Sequence, residues 1–105
     1  MRKRRRYIAF ESMREASVPD VLQTINFLRT SRPKMEQSML KLVLYDENSR
    51  LGLLRCGHKQ VDEIKASMSS VGENHAKMVS FRVLGVSGTI RAAKRKFLAP
   101  HQAKD

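Results

Sequence analysis

Residues 38–56 read SMLKLVLYDENSRLGLLRC. Leu40, Leu42 and Leu44 alternate with Lys41, Val43 and Tyr45, the two-residue period of a half-buried strand. Asp46, Glu47, Asn48 and Ser49 follow, a polar run whose short side chains bond nearby backbone and bend the chain. Residues 51–56 then return to apolar character. Two short apolar runs around a polar turn predict an antiparallel hairpin, with strands at 38–46 and 51–56.

What flanks the hairpin fixes its context. Upstream, residues 7–13 (YIAFESM) read as a strand. Ser17-Val18-Pro19-Asp20 then signals a helix start: Ser17 as cap, Pro19 in the first turn, Asp20 closing a capping box. Leu22, Ile25 and Leu28 give that helix an apolar stripe, and Pro33 stops it. Downstream, Val61, Ile64, Met68 and Val71 predict a helix over 58–71, ended by Gly72. A strand over 78–85 and a Ser87-capped helix over 88–98 complete the chain, with Pro100 as the stop.

The order β-α-β-β-α-β-α is the split βαβ pattern plus one helix. It predicts an α+β fold, ferredoxin-like and similar to an RNA-recognition motif. Both crossover helices lie on one face of a four-stranded antiparallel sheet. The expectation is a single domain over 1–105, with a basic tail at 1–6 and a frayed tail at 99–105. Ile8, Phe10, Leu40, Leu42, Leu44, Val79, Phe81 and Val83 form the expected helix-facing set. Tyr7, Ala9, Val43, Tyr45 and Leu84 make the other face too apolar to stay bare. Either the last helix, through Ile90, Ala93 and Phe97, or a partner must cover it.

The charge narrows the function. With 21 Lys+Arg against 10 Asp+Glu, the net charge is +11. Arg2, Lys3, Arg4, Arg5 and Arg6 supply five of these charges, so the remaining residues are basic as well. Such a surface attracts polyanions by counterion release, and nucleic acid is the expected partner. No apolar run is long enough for a membrane span, and no basic helix carries Trp anchors, so no membrane partner is expected. The segment after Arg6 breaks at Glu11, short of a signal-peptide core. A lone Cys56 suits a reducing compartment, and the expected location is cytoplasmic.

The third strand lacks the aromatics on which an RNA-recognition motif stacks bases. Contacts to phosphate or to folded RNA shape are therefore expected. The most specific stretch is Leu84-Gly85-Val86-Ser87-Gly88-Thr89-Ile90-Arg91, joining the last strand to the last helix. Gly85 and Gly88 allow close backbone approach and Ser87 and Thr89 add hydroxyls at a helix start, while Arg91, Lys94 and Arg95 share one helix face. This reads as a phosphate-binding edge; the plainer reading is an ordinary capped, glycine-flanked helix. It is not a P-loop, because no GK[ST] is present.

Catalysis finds little support. Cys56 and His58 are too few for a metal site, and nothing orients them as a nucleophile pair. His75 and His101 fall in expected loops. Asp46 and Glu47 read as turn chemistry, Asp62 and Glu63 as a solvated helix face. Met35, Met39, Met68 and Met78 read as core filler. A metal or other cofactor bound by this chain is not expected.

Three blocks carry a family resemblance. They are Lys3-Arg4-Arg5-Arg6-Tyr7-Ile8-Ala9-Phe10; Leu54-Arg55-Cys56 with Val61-Asp62-Glu63-Ile64; and Leu84 to Arg91 with Lys96-Phe97-Leu98. Together they resemble the ribonuclease P protein component 2 family in its archaeal form, with a shorter stretch at 17–38. The resemblance implies a subunit of a tRNA-processing endoribonuclease that removes the 5′ leader of precursor tRNA. It further implies that the RNA holds the catalytic centre and its Mg²⁺, and that a second, TIM-barrel-like protein subunit is a partner. Ribonuclease P RNA and precursor tRNA would then be the nucleic-acid partners, and the chain alone would not be catalytic. Two rival readings stay open: a ribosome-associated or other RNA-binding module of the same fold, and a small ferredoxin-like enzyme.

Overall fold

The computed structural model describes residues 4–30 and 40–102. Four strands, β1 (Arg5–Ser12), β2 (Lys41–Asp46), β3 (Leu51–Gly57) and β4 (Phe81–Ser87), pair antiparallel in the order β2-β3-β1-β4. Helices α1 (Val18–Thr30) and α2 (Val61–Asn74, entered through a 3₁₀ turn at His58–Gln60) are the crossovers. This is the expected ferredoxin-like arrangement. A last helix comprises α3 (Ile90–Ala93), a π turn (Lys94–Leu98) and α4 (Ala99–Gln102).

The local signals act as their chemistry requires. Asp20 N–H donates to Ser17 Oγ at 3.3 Å and Ser17 N–H donates to Asp20 Oδ2 at 3.1 Å, a reciprocal capping box. Between β2 and β3, Asp46 Oδ2 accepts from both the N–H and the hydroxyl of Ser49. Arg50 adopts a φ of 61° there, the left-handed conformation that lets the chain turn back.

Two apolar layers sandwich the sheet. The larger, under α1 and α2, is built on Ile8, Phe10, Ile25, Leu54, Met68 and Phe81. The smaller, under the last helix, is built on Ala9, Leu51, Leu53, Ala93 and Leu98, with Tyr7, Val43, Leu84 and Phe97 against it. The last helix is therefore the cover that the second sheet face demanded.

Several boundaries and faces differ from the sequence expectations. The basic tail is shorter: Arg5 and Arg6 belong to β1, because β3 extends to Gly57 and gives them ladder partners. Leu44 lies on the last-helix face and Tyr45 on the α1/α2 face, the reverse of the alternation. The register of β2 against β3 slips between Leu42 and Leu44, and one inserted residue swaps every later side chain. Strand β4 starts at Phe81, since Val79 N–H is taken by Thr24 Oγ1 at 3.0 Å and not by a strand. Gly72 lies inside α2, its N–H donating to Ser80 Oγ, where a methyl group would collide. Pro100 does not end the last helix. It lies inside the continuous last helix, just past the π turn, so 99–102 is helical; 103–105 lie outside the described residues. His101 accordingly sits in a helix and not a loop. Ser38, Met35, Met39 and Pro33 also lie outside the described residues.

Candidate nucleic-acid interface

Strand direction brings the two basic segments of the sequence together. β1 begins, and β3 and β4 finish, at the same end of the sheet, with Arg5 opposite Gly57 and Tyr7 opposite Ser87. His58 N–H donates to the carbonyl of Arg4 at 3.0 Å, fixing the chain just before β1. Arg6 Nη1 donates to the Arg5 carbonyl, and a methyl placed on Gly88 would lie 3.8 Å from that nitrogen. So Arg4, Arg5 and Arg6 adjoin the junction of Ser87, Gly88 and Thr89. Arg2 and Lys3 lie outside the described residues.

Ser87 does not cap the last helix. It closes β4, and Thr89 is the cap, its Oγ1 accepting from Ala92 N–H at 3.1 Å. The pairing of Ser87 with Tyr7 extends the strand two residues beyond the expected end and moves the helix start to Ile90. Gly85 also has a different role from the phosphate approach expected of it. A side chain there would overlap the Phe97 ring, so this glycine seats the last helix on the sheet.

Arg91, Lys94 and Arg95 are exposed on the outer side of the last helix, as expected, and Lys96 joins them. The same side of the sheet carries two further cations that the sequence reading missed. Lys41 pairs with Arg55, and Arg55 with Tyr7, so this cross-strand row continues to Ser87. Only the strand register reveals it; the signal was the alternation of Lys41 and Arg55 against half-buried Leu42 and buried Leu54. Residues 75–104 hold seven Lys or Arg and no Asp or Glu, and the charge of Arg82 is offset from outside the stretch by Glu11.

Four carboxylates sit elsewhere and are tied down. Asp20 is held below the usual carboxylate range by the backbone N–H and then the hydroxyl of Ser17. Asp46 is lowered by the hydroxyl and then the N–H of Ser49. Glu47 accepts from Val18 N–H at 2.8 Å, and Glu11 pairs with Arg82 at 2.8 Å. All four lie toward the opposite end of the sheet. Asp62 and Glu63 open α2, on the layer away from the last helix.

Reactive groups do not converge. Cys56 is fully buried, and burial pushes its thiol up to about 11, the wrong direction for a nucleophile or a metal ligand. His58 is exposed, and His75 packs on Phe27 with ring centroids 4.5 Å apart. Among the described residues no three His, Cys, Asp or Glu side chains are placed to hold a metal ion. No helix among them is long and apolar enough to cross a membrane.

Residues 6–98 match the sequence profile of the Rpp14/Pop5 family. The chain belongs to this family. The match takes in both central strands, both crossover helices and the last helix up to Leu98. Among individual relatives, the Thermococcus kodakarensis protein named Ribonuclease P protein component 2 is 32% identical over 96% of this chain and 88% of its own length. The protein of that name from Methanocaldococcus jannaschii is 36% identical over 99% of this chain and 80% of its own length. One from Methanosarcina barkeri is 31% identical over 93% and 75%. Within this Rpp14/Pop5 chain, the sequence block from Leu84 to Arg91 spans the end of β4, the Thr89 cap and the start of α3. Within it, Gly85 seats the last helix on the sheet and Thr89 caps it.

Proposed function

We propose that this chain is a protein subunit of ribonuclease P. It binds and stabilises the catalytic RNA while that RNA removes the 5′ leader of precursor tRNA in the cytoplasm. The observation that carries the reading is the meeting of Arg4–Arg6 with the 87–91 junction in a chain of this family. Packing RNA helices close to one another costs Coulomb energy, and fixed Arg and Lys side chains lower that cost. The nucleophile and the Mg²⁺ belong to the RNA in this reading, which fits a chain whose thiol is buried and whose Asp20, Asp46 and Glu47 are held at a cap or turn. A TIM-barrel-like protein subunit completes the assembly in this reading.

The test is reconstitution with ribonuclease P RNA, the other protein subunits and precursor tRNA across Mg²⁺ concentrations. Arg4→Ala with Arg91→Ala and Lys94→Ala is expected to fold by circular dichroism yet lose support of cleavage, most at low Mg²⁺. Wild-type support by that variant would overturn the assignment of the site. Robust cleavage by the protein without RNA would overturn the proposed role.

A further inference from the structure

The π turn gives the last helix an unusual cross-section. Ala99 N–H donates to the carbonyl of Lys94, five residues back. Ala93 and Leu98, also five apart, are both buried against the sheet. In a regular helix of 3.6 residues per turn, positions five apart fall on different faces. The wide turn therefore keeps two apolar anchors on the inner side. It leaves three consecutive cations, Lys94, Arg95 and Lys96, exposed on the outer side, beyond Arg91. π turns recur at functional sites because they reorient side chains at a cost in packing.

The aromatic side chains bear on the same question. Phe10 and Phe81 are fully buried and meet edge to face at 4.7 Å. Tyr45 stacks on Phe10 and donates its hydroxyl to the Ala16 carbonyl at 2.9 Å. Phe27 packs on the first apolar layer, Tyr7 and Phe97 on the second. These are all six Phe and Tyr residues of the chain, and it has no Trp. None is left as a platform for a splayed base.

We infer that the outer side of the last helix, widened by the π turn, holds the sugar-phosphate edge of double-helical RNA, and that no base enters the sheet. The inference rests on the RNA-binding role proposed above and names what that site takes. A duplex presents its phosphates outward and hides its bases, which suits a rigid row of cations with no stacking surface. Single strands are usually held by aromatic stacking, which this chain does not offer.

The closing experiment measures binding of the full chain to a 16-base-pair RNA duplex of arbitrary sequence and to an unstructured 16-nucleotide single strand, over a range of salt. The duplex is expected to bind at least severalfold tighter, with no dependence on its sequence. Arg95→Ala with Lys96→Ala should fold normally and lower the log–log salt slope by roughly two ions. It should weaken duplex binding by on the order of ten- to sixtyfold at 0.1 M salt, the upper figure being two full counterions at a slope of ~0.9 each. Lys65→Ala with Lys77→Ala, outside the last helix, should change little. Equal or tighter binding of the single strand, or an equal loss in the Lys65/Lys77 pair, would overturn the inference and leave the ribonuclease P role standing. Absence of salt-dependent binding to any RNA, ribonuclease P RNA included, would overturn both.

Discussion

Gly85 has room for a hydrogen and little else, because the Phe97 ring lies over it. Gly85→Ala is expected to unseat Phe97 and cost about 1–3 kcal/mol, as overpacking of a close contact does; urea unfolding would measure it. Its RNA affinity should fall only as far as the last helix is displaced. Cys56 offers a different test. Its thiol is held neutral up to about 11, above the ordinary value of 9.0. The unfolded chain would lose that proton first, so the contribution to stability is full below pH 9 and is lost between pH 9 and 11. The urea midpoint of wild type should fall over that window more steeply than that of Cys56→Ala. Native Cys56 should also resist alkylation at pH 8 and react once unfolded.

The elements were legible where a residue's own neighbours in sequence decide its role. The capping box at Ser17 and Asp20 formed as its spacing indicates, and Ser17→Ala should cost about 1 kcal/mol of stability. Because the carboxyls of Asp20 and Asp46 are both lowered, their contribution is present above their unfolded values near 3.8 and is lost as the pH falls through the folded ones. Acid unfolding of Asp20→Asn should accordingly be less steep. Where a long-range partner decides, sequence reading failed. Leu44 and Tyr45 changed faces because β2 slips one register against β3, which no local pattern reports. The face matters for function: Tyr45→Phe should lose about 1 kcal/mol by forfeiting the bond to Ala16, with RNA affinity unchanged. A loss of RNA binding with folding intact would mean that Tyr45 reaches a base after all. The helix start likewise moved from Ser87 to Thr89 because Tyr7, eighty residues earlier, pairs with Ser87.

At the scale of the molecule, the fold was readable from the order of its elements, and half of the interface from runs of Arg and Lys. Lys41, Arg55 and Lys96 were not, since two depend on register and one on a π turn. The capping and ion-paired carboxylates described above also have a kinetic consequence. Glu11, Asp20, Asp46 and Glu47 lie toward one end, partly offset by Arg50 and Arg82, while at the other Arg4–Arg6 and the last helix outnumber Asp62 and Glu63, so the protein is an electric dipole that a polyanion rotates before contact. Encounters should thus arrive already aligned, with Arg4–Arg6 and the last helix leading. The association rate should drop steeply as salt shortens the reach of that field, while dissociation changes far less. Stopped-flow measurements over ionic strength would show it. Glu47→Gln should leave the pre-alignment in place and weaken the bond at the start of α1, whereas Glu47→Lys would blunt the dipole and slow capture although it raises the net charge.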